Sequence, residues 1–146
     1  MVRIPPPIWM LLFLAVAAAV SFYYPVGTVP PRPVLGAVLV VAGASLGFWA
    51  FRLFRTEGTE LNPASEANKT LVVRGPFRFT RNPMYLGLVL LSLGIAFWAG
   101  AVPMFVVPVL VFAVANWVHI PFEEAKMRHQ FGAAFDDYTR SVRRWI

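Results

Sequence analysis

Apolar residues along this chain form three long runs separated by polar stretches, and prolines precede each of the first two runs. The third run, residues 84–120, contains no charged residue and would be about 55 Å long as one helix, against a hydrocarbon core of about 30 Å. Gly100 and Pro103 interrupt its middle, so we divide it into two spans. The predicted spans are residues 8–24, 34–51, 84–100 and 103–120. The pattern therefore predicts an all-α integral membrane protein with four transmembrane helices.

Composition agrees with a membrane protein of one domain. The chain has 146 residues, of which 58% are hydrophobic and 14% are charged, whereas about a quarter of the residues in soluble domains are charged. We expect residues 1–146 to form a single domain. The first apolar run is interpreted as a retained span and not as a signal peptide. The absence of cysteine excludes disulfides and thiolate metal sites, and two histidines argue against a histidine-rich metal site.

Charged residues are predicted to lie almost entirely on one side of the membrane. With four spans, both termini and the loop between the second and third spans share a side. That side carries twelve of the 13 Lys and Arg residues, and the other side carries Arg32 alone. Because basic residues favour the cytoplasmic side, we expect both termini and the polar segments in the cytoplasm. Orientation explains the net charge of +6, so we do not expect a nucleic-acid partner.

Small residues mark one face of the second predicted span. Gly36, Gly43 and Gly47 lie on this face, and the last two form a GxxxG pattern. Such residues let helix backbones approach closely in lipid. We favour packing against another helix of the same chain, and a homo-oligomer through Gly43 and Gly47 is the alternative.

The polar segment 70–87 leads into the third span and contains the first group of candidate site residues. Asn82 is a suitable helix N-cap, and Pro83 suits the first helical position. The start of a helix attracts carboxylate or phosphate groups. Arg81 stands beside this start, and Tyr85 lies one turn into the helix. An orientation-setting arginine, a cap and an interfacial tyrosine would explain the same residues without a ligand.

The second polar segment, residues 121–145, is predicted to be a cytoplasmic or interfacial helical segment. We expect Pro121 to begin a helix and Gly132 to end or kink it. Glu124 and Arg128 have the i,i+4 spacing of an ion pair. Three aromatic residues could form an apolar stripe on the membrane surface: Phe131, Phe135 and Tyr138. An amphipathic surface helix with no further role is the alternative.

Four more polar residues lie near the start of this segment. Adjacent side chains on a helix point about 100° apart, so Glu123 and Glu124 are unlikely to face one ligand group together. We expect one of them to contact a ligand and the other to stabilise the fold. Asn116 and His119 lie at the end of the fourth predicted span, where polar groups are costly and often functional.

In this order, the two segments resemble the isoprenylcysteine carboxyl methyltransferase and phospholipid methyltransferase superfamily. The resemblance rests on an Arg-x-Pro-x-Tyr-x-Gly pattern with a downstream Glu-Glu, over roughly the C-terminal half of the chain. The matching residues are Leu71, Val72, residues 75–78, residues 81–87, Glu123, Glu124, Phe131, Gly132, Tyr138 and residues 142–145. The better-known members have histidine at the position of Asn82, so an acid-base role for that position is not carried over.

The resemblance implies an integral membrane enzyme that transfers a methyl group from S-adenosylmethionine to a lipophilic or membrane-associated acceptor and releases S-adenosylhomocysteine. Arg81 and the helix start would bind the carboxylate of the cofactor, and Glu123 or Glu124 its ammonium or ribose hydroxyls. The cofactor-binding residues expected from the resemblance are Arg78, Arg81, Asn82, Tyr85, Gly87, Glu123 and Glu124. Because the cofactor is polar, its site is expected to face the cytoplasm.

Methyl transfer mainly requires that the acceptor and the methyl donor are held close and aligned. A carboxylate or thiolate acceptor needs no general base, and Arg81 or Arg128 could position it. An amine or phenol must lose a proton, and His119 is then the candidate base. Prenylated cysteine, a phospholipid amine, an isoprenoid or quinone-like lipid and a small thiol all remain open as acceptors.

Two other functions fit the same sequence less well. Sterol reductases resemble this superfamily in their C-terminal region, so a membrane reductase that uses NADPH is one alternative. A non-enzymatic membrane scaffold is the other.

Overall fold

The computed structural model describes residues 4–24, 26–56 and 70–146. Arg3 and Lys69, two of the basic residues that predict the orientation, lie outside this part. The described helices are α1 (Pro6–Tyr23), α2 (Pro33–Thr56), α3 (Pro83–Ala99), α4 (Val106–Val114), α5 (Ile120–Phe131) and α6 (Ala133–Ser141). A 3₁₀ turn, Gly75–Arg78, lies between α2 and α3, a second one, Val102–Phe105, precedes α4, and a π-helical turn, Ala115–His119, joins α4 to α5. The structure confirms an all-helical architecture in these residues.

The ends of the apolar helices follow the prolines and glycines of the sequence. Helix α1 begins at Pro6, two residues before the predicted span, because the first helical turn tolerates proline. Gly100 ends α3 with a φ of 65°, which confirms the break in the third apolar run. A Cβ at this position would lie 2.6 Å from the carbonyl oxygen of Val29. Val29 lies between α1 and α2, and its backbone N–H donates to the Gly100 carbonyl at 2.7 Å. This hydrogen bond attaches the segment between α1 and α2 to the end of α3.

Three of the described helices are long and apolar enough to cross a membrane. These are Pro6–Tyr23, Pro33–Thr56 and the helical run Val102–Phe131, which has 30 residues. The remaining apolar helix, Pro83–Ala99, has 17 residues, which is the lower limit for crossing the hydrocarbon core.

The helical run after Val102 continues past the position where we predicted a new helix. Helix α5 begins at Ile120 with Pro121 in its first turn, close to the predicted start, but it follows directly from the π-helical turn without a break. Proline has no N–H to donate and its ring collides with the carbonyl four residues earlier. The wider turn immediately before Ile120 accommodates both effects, so the chain stays helical to Phe131. Gly132 then ends α5 with a φ of 52°, as predicted.

Helices α2 and α3 pack with their backbones in contact. A Cβ on Gly43 would lie 2.5 Å from the carbonyl oxygen of Gly87, and a Cβ on Gly36 would lie 2.7 Å from that of Gly94. Only glycine permits α2 and α3 to lie this close at both positions. The preferred prediction, packing within the chain, is confirmed for Gly43. The alternative of a homo-oligomer through Gly43 and Gly47 has no support, since α3 already occupies the Gly43 face.

The aromatic residues that follow α5 pack inside the protein. Phe135 and Tyr138 are buried against Phe77 and against Ala50 of α2, and Phe131 packs on the same cluster. The Tyr138 hydroxyl donates to the carbonyl oxygen of Phe77 at 2.7 Å. The prediction that this stripe lies on the membrane surface is therefore wrong. An amphipathic pattern shows that one face is buried, and it does not distinguish lipid from the rest of the chain.

Candidate functional site

The start of α3 is bound to the last turn of α6 and to the polypeptide that follows it. The guanidinium of Arg81 donates through Nη1 to the carbonyl oxygens of Thr139, at 3.0 Å, and Val142, at 2.7 Å. Its backbone N–H donates to the carbonyl of Arg143 at 3.0 Å. We call residues 142–146 the tail. One arginine thus fixes the tail against the N-terminal end of α3.

Asn82 belongs to the same connection. It occupies the N-cap position of α3, but its side chain makes no capping hydrogen bond. Instead its Nδ2 donates to the carbonyl of Arg144 at 2.9 Å. Thr80 donates through its hydroxyl to the same carbonyl at 3.2 Å. The prediction of a capping side chain is wrong, because a carbonyl of the tail lies within reach of the amide.

Glu124 forms the central ion pairs of the site. Its Oε1 accepts from Nη2 of Arg81 at 2.8 Å, and its Oε2 accepts from Nη2 of Arg144 at 2.6 Å. The side chains of Arg81 and Glu124 are 13% and 15% exposed. Glu124 therefore joins α3, α5 and the tail. The predicted pair with Arg128 is wrong, because two arginines from other segments satisfy Glu124.

Glu123 has a different partner on the neighbouring face of α5. Its Oε1 accepts a hydrogen bond from the Tyr85 hydroxyl at 2.6 Å. Tyr85 is buried with Ala115 and Ile120, so the pair lies where α3 meets the end of the π-helical turn. The two glutamates take separate partners, as the 100° between adjacent helical side chains predicts.

The π-helical turn directs two further polar side chains into this region. The His119 ring is 2% exposed and its centroid lies 6.1 Å from that of Tyr85. Its Nε2 is buried without a hydrogen-bond partner in the described part of the chain. Asn116 accepts from Nε1 of Trp145 at 3.0 Å, and Trp145 also packs against the Tyr85 cluster. The turn thus contributes both to the site and to the attachment of the tail.

Three predicted site residues lie apart from these contacts. Arg78 is exposed at the end of the 3₁₀ turn. Gly87 faces the backbone of Gly43 and Gly47 and permits the packing of α3 on α2. Arg128 is 55% exposed and pairs with Asp136 of α6 at 2.9 Å. The structure thus brings together Arg81, Asn82, Tyr85, Glu123, Glu124 and His119.

Burial also changes the ionisation of Tyr138 beneath this region. Removal from solvent raises the pKa of its phenol well above the ordinary value, and the nearby charge of Arg81 opposes this shift in part. The hydroxyl therefore stays protonated and donates to the Phe77 carbonyl.

Sequence reasoning missed the structural role of the tail. Arg144 and Trp145 were noted only as part of a resemblance, yet they contact Glu124 and Asn116. The other partners are backbone carbonyls of residues 139 and 142–144. Backbone atoms have no sequence signature, so no residue pattern could have revealed these contacts.

Comparison with known proteins identifies the family. The phospholipid methyltransferase family model matches residues 31–134, which include α2, α3, the π-helical turn and α5. The chain belongs to the phospholipid methyltransferase family. The resemblance drawn from the two polar segments is thereby confirmed. The match to this family also extends through α2, where sequence reasoning had found only membrane character.

A curated relative gives the same kind of chemistry. Over 97 residues, 64% of this chain, the sequence is 36% identical to methanethiol S-methyltransferase 2 of Bradyrhizobium diazoefficiens. The matched region is 32% of that protein, so the chain spans about a third of the length of this curated relative. No solved structure matches the chain significantly. The phospholipid methyltransferase family and this relative point to membrane-associated methyl transfer.

Proposed function

We propose that this protein transfers a methyl group from S-adenosylmethionine to a lipophilic or membrane-associated acceptor. The observation that most supports this proposal is the hydrogen bond between Tyr85 and Glu123. It places a carboxylate and a phenol beside the buried ring of His119, where the two segments that define the resemblance meet. Membership of the phospholipid methyltransferase family supports methyl transfer as the reaction.

The polar groups of this region fit the amino-acid end of the cofactor. Both oxygens of Glu124 already accept from arginines, so Glu123 is the carboxylate we assign to the ammonium or the ribose hydroxyls. The Nε of Arg81 is buried without a hydrogen-bond partner among the described residues. A buried donor without an acceptor costs free energy, and a carboxylate of the cofactor would satisfy it. Roles for Arg78, Asn82 and Gly87 in cofactor binding remain predictions.

The same proposal includes four membrane spans. The 17 residues of α3 would reach about 26 Å, close to the thickness of the hydrocarbon core. With four spans, the start of α3, α5, α6 and the tail share one side with both termini. The basic residues on that side favour the cytoplasm, which is where S-adenosylmethionine is available. We therefore assign the cofactor site to the cytoplasmic face.

The residues of the chain would mainly bind the methyl donor and the acceptor, align them with each other and exclude water from the site. S-adenosylmethionine supplies an electrophilic methyl group on a sulfonium. The acceptor provides the electron pair for the new bond to the methyl carbon, while the bond between carbon and sulfur breaks and its electrons stay on sulfur. If the acceptor carries a proton, the unpartnered Nε2 of His119 is the group we assign to accept it. Arg128 remains a predicted positioning residue, although its described contact is with Asp136.

Two classes of acceptor have specific support. The family model is named for phospholipids, and the curated relative is named for methanethiol. A thiol would reach the site as a small molecule, whereas a lipid would approach laterally from the membrane.

Binding of S-adenosylhomocysteine tests the proposal directly. Calorimetry on the full chain in lipid nanodiscs should show binding, and Glu123→Gln and Tyr85→Phe should each weaken it by at least about tenfold, the loss expected for a hydrogen bond to a charged group. Asp137→Asn is the matched control, since Asp137 forms an exposed pair with Arg140.

The two glutamates should separate binding from stability. Glu123→Gln should weaken S-adenosylhomocysteine binding with little change in the unfolding temperature, whereas Glu124→Gln should lower the unfolding temperature as well. Folded wild-type protein that binds no S-adenosylhomocysteine would contradict the proposal. Stabilisation by NADPH in its place would favour the reductase.

A further inference from the structure

The tail is bound to the same residues that we assign to the cofactor. The carbonyl of Arg143 accepts from the backbone N–H of Arg81 at 3.0 Å. The indole of Trp145 packs against the cluster that contains Tyr85. In this arrangement the tail covers the start of α3, so its position decides whether the candidate site can be reached.

The polar groups beneath the tail are shielded from water. Tyr85 is 6% exposed and Asn82 is 8% exposed. The side chain of Arg81 is 13% exposed, and its Nε is buried. A ligand as large as S-adenosylmethionine cannot reach groups this buried unless a covering segment moves. Exchange of the cofactor therefore requires a change of conformation.

The tail is the covering segment that can move without unpacking a helix. Helix α3 is held against α2 by backbone contact, and α5 continues directly from the π-helical turn. Helix α6 is anchored by the buried side chains of Phe135 and Tyr138. After α6 the backbone becomes extended at Val142, whose side chain still packs on the same core cluster. The movable part is therefore residues 143–146.

Two side chains hold this part against the last helical run. Arg144 donates to Glu124 twice, from Nη2 to Oε2 at 2.6 Å and from Nε to Oε1 at 3.2 Å. The Nε1 of Trp145 donates to Asn116 at 3.0 Å, and its ring centroid lies 4.7 Å from that of Phe112. We call Arg144 and Trp145 the latch.

Release of the latch would leave Arg81 in place. Its Nη1 donates to the carbonyls of Thr139 and Val142, which precede the movable part. Its Nη2 donates to Oε1 of Glu124. Movement of residues 143–146 would thus free the backbone N–H of Arg81 and the Oε2 of Glu124 without displacing the guanidinium. The binding groups stay assembled while the site is open.

We propose that residues 143–146 form a gate for the cofactor, and that the latch holds this gate closed. The inference rests on the proposed function for the identity of the ligand, and on the contacts of the tail for the movement. The gate opens to admit S-adenosylmethionine, closes over it and opens again to release S-adenosylhomocysteine. Such segments commonly control how fast a product leaves an enzyme.

A gate has a kinetic signature that a direct contact with the cofactor does not have. Binding and release both pass through the open state, so both observed rates scale with the fraction of protein that is open. A weaker latch raises this fraction in the free and in the cofactor-bound protein. Association and dissociation should then accelerate by the same factor, and Kd should stay nearly constant. Loss of a side chain that contacts the cofactor would raise Kd, mainly through faster dissociation.

Rapid filtration with tritium-labelled S-adenosylhomocysteine measures both rates on the full chain in lipid nanodiscs. Arg144→Gln should accelerate both rates by about tenfold, the lower end for hydrogen bonds to a charged group, because Arg144 is 36% exposed. Trp145→Phe keeps an aromatic ring but loses the hydrogen bond to Asn116, so it should accelerate both by about fivefold. Arg140→Gln is the matched control, since it removes the same charge from an exposed pair on α6, and it should change neither rate.

Hydrogen exchange detects the gate without any ligand. The backbone N–H of Arg81 donates to the Arg143 carbonyl, so its exchange requires release of the tail. Arg144→Gln should raise its exchange rate by about tenfold, as for the binding rates. The N–H of Phe79 donates to the Pro76 carbonyl in the 3₁₀ turn and is the reference, whose exchange should not change.

Two outcomes would overturn the inference. Equal exchange at the Arg81 amide in the wild type and in Arg144→Gln would show that Arg144 does not hold the tail closed. Faster dissociation with an equal rise in Kd and unchanged association would make Arg144 a direct contact of the cofactor.

The same measurements keep this inference separate from the proposed function. Folded wild-type protein that binds no S-adenosylhomocysteine would remove the proposed function and the gate with it, while exchange at the Arg81 amide would still report whether the tail moves. Binding of S-adenosylhomocysteine at rates that neither Arg144→Gln nor Trp145→Phe alters would leave the proposed function intact and remove the gate.

Discussion

Helix α3 is held in place by two interfaces that work in opposite ways. Along its length, Gly87 and Gly94 allow its backbone to touch that of α2. At its start, Arg81 and Asn82 donate hydrogen bonds to carbonyls 58–62 residues away in sequence. The interface with α2 requires that Gly87 and Gly94 have no side chain. The polar interface at the start of α3 requires the side chains of Arg81 and Asn82. Added atoms should therefore disrupt the glycine interface, and removed atoms should disrupt the polar one.

The difference shows how the position of Tyr85 is determined. The glycine interface sets the distance of α3 from α2, and the polar interface sets its position relative to α5 and the tail. Tyr85 lies between the two and donates to Glu123. A change in either interface should therefore alter the candidate site, although the loss of stability should differ in size and cause.

Removal of the Glu124 carboxylate should have the largest effect. In Glu124→Gln, the charges of Arg81 and Arg144 lose their shared partner, and a broken buried pair costs about 3 kcal/mol or more. Unfolding of the purified protein in detergent would measure this change. Asp136→Asn is the control, because its pair with Arg128 is exposed and is worth about 0–1 kcal/mol. Equal shifts in the two variants would show that Glu124 is not central to the polar interface.

An added methyl group should break the glycine interface at slightly lower cost. In Gly43→Ala, the new Cβ would lie 2.5 Å from the Gly87 carbonyl oxygen, and such overpacking costs about 1–3 kcal/mol. Gly47→Ala is the matched control on the same helix, since no atom lies within 4 Å of its added Cβ. Thermal unfolding would compare the two, and an unchanged Gly43→Ala would contradict backbone contact between α2 and α3.

Variants of Asn82 test whether its side chain caps α3 or connects α3 to the tail. Asn82→Ala should cost about 1 kcal/mol through loss of the hydrogen bond to the Arg144 carbonyl. Asn82→Asp should cost at least as much, since a carboxylate cannot donate to a carbonyl. Aspartate is a good cap, so restored stability in Asn82→Asp would mean that capping, and not the tail, explains the residue.

Tyr138 should give an effect as small as that of Asn82, and one that depends on pH. Tyr138→Phe loses the hydrogen bond to the Phe77 carbonyl, which contributes about 1 kcal/mol. Burial raises the pKa of Tyr138 in the folded state, so its contribution is complete below the unfolded value of about 10 and is lost as the pH rises above it. Tyr138→Phe should therefore weaken the alkaline loss of stability, whereas Tyr24→Phe, an exposed control, should not.

The sequence predicted the helices because their signals are local. Apolar runs and the breaks at Gly100 and Gly132 are confirmed in the structure, with helix ends close to the predicted spans apart from the longer α2 and the extended last run. The separate partners of Glu123 and Glu124 also follow the prediction. These features depend on hydropathy, glycine conformation and helical periodicity, all of which are visible in a single sequence.

The errors arose where several partners were compatible with one pattern. The spacing of Glu124 and Arg128 permits an ion pair, but Glu124 pairs with two arginines from distant segments. The stripe of Phe135 and Tyr138 could cover either lipid or protein, and it covers Phe77. The polar interface was not predictable in detail because most of its acceptors are backbone carbonyls.

The π-helical turn Ala115–His119 implies that changes in chain length can alter this site more than substitutions can. One residue advances an α-helix by about 100°, and a π-helical turn contains one more residue than an α-helical turn of similar span. Deletion of one residue here would rotate every later position of α5 by that angle. Glu123 would then turn away from Tyr85, and another side chain would take its place. A single insertion or deletion could thus give a related protein a new set of inward-facing groups on an unchanged scaffold.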